Sequence, residues 1–522
     1  MRLVSSAQKS GQHVPDILDC LAQLSNDEVP TPPAVARAML DLLPDAVWRE
    51  PSYRWFDPFC KSGVFLREVA ARLLDGLEYW EPDFEKRREH IFRKMLFGAS
   101  ITEMTGHIAR RSVYYSRDAS SPRSVVEFET ADGNLPFVTA KHIFGKGAKS
   151  KSCVVCGAPS ALERGDKREN HAYAFIHGGF PTKELPDMKF DVIVGNPPYQ
   201  TEDGGHGASA TPIYQHFVEA AIKLNPRYVL MITPSRWFTG GKGLDQFRAR
   251  MLADKRMRKL VDYPKLYDGF PGVKIRGGVS YFLWAREHSG LCSVQTMWDG
   301  KPIGGPAERN LGAYDVLVRR NEAVSILEKV RSFKPAGVSE TTLAKRVSGA
   351  KPFGLRTFFH GAAGPDGLSN PVKLYGSQRV SWVERASIPQ NSEWIDDWKV
   401  LLSAVQGTSA AVETMFLGKP IIGAPGEACT ETYVVTGRFS SELEAKRYAV
   451  YLRTRFVRFL VSLRKATQHA TRDVYAFVPD LAVNRDWTDG MLYERYGLTS
   501  TEIEFIESQV KEMPAPSPVA SK

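Results

Sequence analysis

Along the first half of the chain two hydrophobic periods alternate. Short apolar runs rich in β-branched or aromatic residues, such as Phe190-Asp191-Val192-Ile193-Val194-Gly195, read as buried strands, and stretches with apolar positions three and four apart read as helices. From Arg54 to about Glu287 the two kinds succeed one another, as expected of a largely parallel sheet covered on both faces. Upstream, Ile17, Leu18, Leu21 and Leu24 have helical spacing between Pro15 and Leu24. Thr31-Pro32-Pro33 then opens a second helix, with Thr31 as its cap and an amino end able to face a carboxylate. After His288 the pattern loosens into the Gly/Pro-rich stretch Asp299–Pro306, which reads as a boundary. The expected division is an α/β domain over 1–290, a mixed α+β domain over 310–513, and a disordered Pro-rich tail over 514–522. Within the second domain a helix is expected from about Arg320 to Val330 and strands at Lys399–Leu402 and Pro420–Ile422. A long helix is expected from Glu442 to Thr467, where Tyr448, Leu452, Phe456, Phe459, Leu460 and Leu463 share a face.

Composition adds the class of partner. The 522 residues are 43% hydrophobic and 25% charged, ordinary for a soluble globular protein. No basic-then-apolar leader and no long apolar run occurs, so export and membrane insertion are not expected. Six cysteines are too few for a disulfide scaffold and suit a reducing cytoplasm. A formal net charge of +10 favours a polyanion such as nucleic acid as partner, or serves as a diffuse aid to solubility.

The candidate chemistry begins at Asn196-Pro197-Pro198-Tyr199, directly after the run ending at Gly195. In open α/β sheets ligands sit beyond the carboxyl ends of strands, where this tetrapeptide falls. Two prolines restrict the backbone and remove two N–H donors, leaving carbonyl acceptors, and the Asn196 side chain adds another. Converging acceptors suit a planar exocyclic amine, and Tyr199 offers its ring a stacking face. Amino-group methylation is the chemistry this suggests; the plain reading is a Pro-Pro turn after a strand.

A second candidate lies upstream. Asp57-Pro58-Phe59-Cys60-Lys61-Ser62-Gly63 closes a short apolar segment and opens a helix through Val64–Leu73, a strand, tight turn and helix in which Gly63 can take a conformation barred to other residues. The next strand, Leu96–Thr102, ends at Glu103, placed where such folds bind ribose hydroxyls; the alternative is a first-turn charge on the following helix. Asp132, in the turn Ala131-Asp132-Gly133-Asn134, is a candidate acceptor for a cofactor's adenine amine, or a plain Asp-Gly turn.

With these residues in view the chain resembles the gamma-class N6-adenine DNA methyltransferases of bacterial restriction-modification systems, particularly those built like the methylase part of type IIG enzymes. Thr31-Pro32-Pro33, Asp57-Pro58-Phe59-Cys60 with Ser62-Gly63, and Asn196-Pro197-Pro198-Tyr199 carry the likeness. It continues through Thr233-Pro234-Ser235-Arg236-Trp237 and Gly277–Leu283. Lys61 departs from it, standing where many such enzymes have Gly. The resemblance implies a Rossmann-like S-adenosylmethionine-dependent methyltransferase domain followed by a target-recognition domain. It implies S-adenosylmethionine as donor and a flipped-out adenine of double-stranded DNA as acceptor. Thr31, Asp57, Pro58, Phe59, Cys60, Ser62, Gly63, Glu103, Asp132 and Asn196 would hold the cofactor. Asn196, Pro197, Pro198 and Tyr199 would form the adenine pocket, with Phe270 as its opposite wall. A separate restriction endonuclease is an expected partner.

Lys446, Arg447, Arg453, Arg455, Arg458, Arg464, Lys465 and Arg472 cluster around the long second-domain helix, as a phosphate-neutralising element or as a solvated helix face. Cys153-Val154-Val155-Cys156, followed by His171 and His177, has the composition of a structural zinc set, though the histidine spacing does not put both on one helix face; a reduced thiol pair is the alternative and no metal is assigned. Two other functions use the same features: a protein-glutamine methyltransferase, and a non-catalytic DNA-binding protein on a methylase fold.

Overall fold

The computed structural model describes residues 29–145, 152–158, 172–181, 188–200, 211–265, 268–270, 273, 275, 277–337, 339–405, 416–465 and 470–513. The expected helix at Pro15–Leu24 and the tail 514–522 lie outside the described residues. The chain divides into two compact units, Met1–Asp315 and Val316–Lys522. No helix among the described residues is long and apolar enough to cross a membrane.

The first unit is built on an eight-stranded sheet. Helix α1 (Pro33–Leu40) precedes β1 (Trp55–Cys60), and α2 (Val64–Gly76) and α3 (Phe84–His90) lead to β2 (Leu96–Ser100) and α4 (Glu103–Tyr114). A small hairpin, β3 (Thr139–Ala140) with β4 (Ala172–Tyr173), stands apart from the main sheet. The chain returns through β5 (Val192–Gly195), α5 (Tyr214–Lys223), β6 (Tyr228–Pro234), α6 (Asp245–Ala253), β7 (Met257–Tyr263), β8 (Val279–Ala285), β9 (Cys292–Trp298) and β10 (Lys301–Arg309). Their order is β10-β9-β7-β8-β6-β5-β1-β2. The strands β2, β1, β5 and β6 are parallel, and β8 is inserted antiparallel between β6 and β7. Every residue of β1, β5 and β8 is buried, which is why Val192–Gly195 reads as an unbroken apolar run rather than as an alternating one.

Two expectations are corrected here. The stretch Asp299–Pro306 is not a linker: β9 and β10 form an antiparallel hairpin, and the first unit runs on to Asp315 instead of ending at 290. Proline cannot donate to a ladder, so Pro302 and Pro306 are tolerated because β10 is the sheet's edge, and a register shift between Ile303 and Ala307 accommodates the glycines. Nor does Thr31 cap α1. The residue before that helix's first turn is Pro32, and no side chain caps it.

The second unit carries α7 (Glu322–Ser332) and two three-stranded sheets. One has the order β12-β11-β15, from β11 (Pro371–Tyr375), β12 (Val380–Glu384) and β15 (Glu427–Cys429); the other has β14-β13-β16, from β13 (Trp398–Ser403), β14 (Ile421–Gly423) and β16 (Tyr433–Phe439). The expected single helix from Glu442 is two: α8 (Glu442–Arg453) and α9 (Arg455–Ser462). At the break Thr454 is extended and its hydroxyl accepts from Val457 N, while the Asp489 carboxylate accepts from the Arg455 and Phe456 N–H groups. Helices α10 (Asp489–Arg495) and α11 (Ser500–Gln509) complete the unit.

The basic cluster here is largely occupied by structural contacts. Arg458 is fully buried and donates to the carbonyls of Arg453, Thr454 and Lys511. Arg455 pairs with Glu507 and Glu512, Lys446 with Glu442, and Arg447 with Asp486. Lys465 and Arg472 donate to the Phe416 and Val347 carbonyls.

Candidate active site

Both sequence motifs sit at the carboxyl ends of neighbouring parallel strands. Trp55 of β1 pairs with Val192 of β5, so Asp57–Cys60 at the end of β1 and Asn196–Tyr199 just past β5 lie side by side at one end of the sheet. Gly195 is the seam between them. A Cβ there would lie 2.6 Å from the Phe59 ring and 2.8 Å from Asp57 Oδ1, so the close approach requires glycine.

Asn196 is only 3% exposed, and its orientation follows from its partners. The amide nitrogen donates to the Val29 carbonyl at 3.0 Å and to Thr31 Oγ1 at 3.1 Å. These two acceptors fix which end of the amide is nitrogen. Oδ1 is thereby turned the other way, buried and without a hydrogen-bond partner. A buried acceptor left open costs stability of order 1–3 kcal/mol, and such an atom in a folded protein calls for a functional account. Pro197 and Pro198 are buried beside it. Tyr199 is held by its carbonyl, which accepts from Ile213 N at 3.1 Å. Its hydroxyl is buried without a partner, and burial pushes the phenol's pKa up despite the neighbouring Asn196 amide.

More open polar atoms surround this point. The Tyr214 hydroxyl, Thr233 Oγ1 and Ser280 Oγ are all buried without partners. Thr233 lies two residues past the Gly195–Met231 pairing of β5 and β6, level with the Pro-Pro segment, and faces Ser280 across the β6–β8 ladder. Nothing in the local pattern separates Tyr214 from core positions, and Thr233 and Ser280 are visible only as parts of longer motifs.

The upstream turn is equally constrained. Asp57 Oδ1 accepts from Phe59 N at 3.1 Å. Burial pushes its carboxyl up to about 7, against the opposing pull of the Phe59 N–H, Cys60 and the Lys61 ammonium. Gly63 has φ +71°, and a Cβ on it would meet Val113 and the Ala109 carbonyl of α4. Ser62 is buried in the turn. The Cys60 thiol points into the core against Gly98 and donates to the Asp57 carbonyl, so this residue offers the cleft only backbone. Lys61, the departure from the family pattern, folds back to the Val29 carbonyl, the same atom that holds Asn196, and its ammonium stands 6.0 Å from the centroid of the Tyr199 ring.

A cleft opens over the ends of β1 and β2, lined among others by Pro58, Ser100, Ile101, Phe137, Tyr173 and Phe175. A second hollow, lined by Arg227, Tyr228, Arg258 and His288, lies at the opposite, amino end of β6 and holds no motif residue. Glu103 is the first residue of α4, its side chain 68% exposed and within 3.9 Å of His107, two residues beyond the cleft's Ile101. Thr102 caps that helix.

Two expected site residues are displaced. Asp132 precedes the segment Asn134–Phe137, which runs parallel to β2 with Ser100 opposite Phe137, so it falls at the amino end of the strands, away from the cleft. Its carboxylate pairs with the buried Arg110 at 2.7 Å. Phe270 is 2% exposed and belongs to the main core with Tyr263, Val279 and Tyr281; among the described residues no ring contact joins it to Tyr199.

Beyond the ends of β1 and β5 the residues fit a polar cofactor: a tight left-handed glycine turn at Gly63 and, at the junction, a buried acceptor left open on Asn196. Comparison with known proteins agrees. A family model described as Eco57I restriction-modification methylase matches residues 94–270. An uncharacterized adenine-specific methylase of Mycoplasma pneumoniae is 35% identical over 312 residues, covering 55% of this chain and 74% of that protein. Among solved structures, the ATP-dependent type ISP restriction-modification enzyme LlaBIII bound to DNA is 11% identical over 94% of this chain and 40% of its own, with a TM-score of 0.46. A type I restriction-modification methyltransferase subunit from Streptococcus thermophilus is 12% identical over 53% of this chain and 50% of its own, with a TM-score of 0.29. The chain thus spans half or less of the length of these two solved chains. Identity at this level across most of the Mycoplasma protein decides the matter, and the chain belongs to the adenine-specific methylase family.

Proposed function

We propose that this protein is a site-specific DNA methyltransferase that moves a methyl group from S-adenosylmethionine to N6 of an adenine turned out of double-stranded DNA. The observation that carries the reading is Asn196, whose amide nitrogen is engaged by Val29 and Thr31 and whose oxygen is buried and open. That oxygen accepts one N6 hydrogen, and the Pro197 carbonyl serves as the second acceptor. Held by both hydrogens, the amine presents its lone pair in one direction, and Tyr199 stacks on the ring. S-adenosylmethionine, when bound, supplies a methyl group already activated by its sulfonium, so the protein's task is alignment. Asp57, Pro58, Phe59 and the Ser62-Gly63 turn hold the cofactor beside Asn196, and the exposed Glu103 reaches for ribose hydroxyls. The adenine arrives by base flipping, because its amine is paired and stacked in the duplex. The second unit is the target-recognition part, a separate restriction endonuclease the expected partner, and the cytoplasm the place of action.

Transfer of labelled methyl groups from S-adenosylmethionine tests this directly. Label should enter duplex DNA and not a glutamine-bearing peptide, and Asn196→Ala should lower the transfer by roughly 10²–10³-fold. Label in the peptide alone would make this a protein-glutamine methyltransferase, and DNA binding without transfer would make it a non-catalytic binder.

A further inference from the structure

The structure assigns a structural zinc site to His142, Cys153, Cys156 and His177, independent of the methyl-transfer reading. The four ligand atoms all lie within 4.8 Å of one another. Cys156 Sγ is 3.3 Å from His142 Nδ1 and Cys153 Sγ is 3.5 Å from His177 Nε2. A tetrahedron with the usual Zn–S and Zn–N bond lengths has S···N edges of about 3.5 Å, so the ligands already stand at the spacing the ion needs. The sequence pattern pairs the two cysteines with His171 and His177. His171 lies outside the described residues, and the fold supplies His142 from a position ahead of the cysteines.

The surroundings match a metal corner in three further respects. His177 Nδ1 lies 2.9 Å from the Tyr173 carbonyl, which takes the proton on that nitrogen and leaves the Nε2 lone pair facing the cysteines. The Ile143 N–H donates to Cys153 Sγ at 3.4 Å, and Gly157, directly after the second cysteine, takes a left-handed φ of +74° while its N–H closes the turn onto the Cys153 carbonyl. An apolar shell of Phe144, Val155 and Ile176 covers the pair. Two thiolates and two neutral imidazoles exactly balance the charge of Zn²⁺, so the complex is neutral where it is buried. With four protein ligands the coordination sphere is closed, which makes the ion a staple and not a catalyst.

This part of the fold needs one. The β3–β4 hairpin pairs at only two positions, Thr139 with Tyr173 and Ala140 with Ala172, and its own buried cluster is Cys153, Cys156 and Ala158. Two-stranded pieces of that size are not stable alone. Yet Tyr173, Ala174 and Phe175, just ahead of His177, form one wall of the cleft, and Phe175 packs on Phe56 and on Phe59 of the upstream turn. A zinc ion tying His177 and His142 to the cysteine corner fixes that wall.

The test is the metal content of the full chain, prepared without a metal-affinity tag or chelator and measured by plasma mass spectrometry. About one zinc per chain is expected, and metal-free protein refilled with Co²⁺ should show the thiolate charge-transfer and intense visible bands of a tetrahedral S₂N₂ site. Cys156→Ser and His142→Ala should each lose the zinc and become easier to cleave by trypsin between residues 141 and 189. Because variants of this hairpin can misfold, the wild-type measurement decides. Wild-type protein that retains no zinc and takes none up on titration overturns the proposal, as does a Cys153–Cys156 disulfide in protein never exposed to oxidant. So does a cobalt spectrum without thiolate bands.

Discussion

Exchanging Asn196 for alanine removes the open acceptor together with two hydrogen bonds, to Val29 and Thr31. Loss of one preorganised polar group at a reacting centre lowers turnover by roughly 10²–10³-fold, and that is the expected effect on methyl transfer. Thr31→Val keeps the acceptor but frees one side of the amide; a loss of about tenfold in kcat is expected because Thr31 positions Asn196, and a matching loss of cofactor affinity would show Thr31 touching the cofactor as well. Asp57 adds a pH effect. Its carboxyl titrates at about 7 in the folded protein and near ~3.9 in an unfolded chain, so between these values only the folded state holds the proton. Stability therefore falls as pH rises from about 4 to about 7 and levels off above. Asp57→Asn keeps an acceptor for the Phe59 N–H and should flatten that fall, as thermal denaturation across the window would record; parallel curves for the two proteins would contradict the burial argument.

Elements fail where a contact distant in sequence overrides a local pattern. The apolar face from Tyr448 to Leu463 continues through the break between α8 and α9, and no proline or glycine marks it. What ends the first helix is Thr454 as cap together with Asp489, brought in from α10. Thr454→Ala should therefore cost about 1 kcal/mol in chemical denaturation. Gly63 is the opposite case, legible because a strand-turn-helix needs a left-handed residue. There an alanine pays about 1–2 kcal/mol for φ +71° and more for the contact with Val113 and the Ala109 carbonyl. The buried strands and the α/β alternation could be read from apolar runs, whereas the pairing of β1 with β5 that brings the two motifs together depends on a strand order the pattern does not carry. Asp132 and Phe270 could not be placed. Whether an Asp-Gly turn lies at the carboxyl or amino end of the sheet, and whether an aromatic faces a pocket or the core, depends on the path of loops whose pattern is silent. The edge strand β10 hid for a related reason, since the prolines and glycines that mark a linker are also those an unpaired edge tolerates.

For the molecule as a whole, the net charge of +10 suits the DNA partner proposed above, but much of the expected basic helix is tied into ion pairs and carbonyl contacts. Binding should weaken steeply as salt rises, while Arg458→Ala should lower stability rather than the salt slope, because its guanidinium is buried. If the second unit reads the target, a chain ending at Asp315 keeps cofactor affinity and loses sequence preference; retained preference would place recognition in the first unit. If Asn196 presents its oxygen to the amine of an extruded adenine, modified-base sequencing of DNA from cells expressing the wild type or Asn196→Ala will show it: N6-methyladenine at one short motif in the first and little or none in the second. Unmodified DNA from cells with abundant folded wild-type protein, or the same methylation with Asn196→Ala, would contradict it.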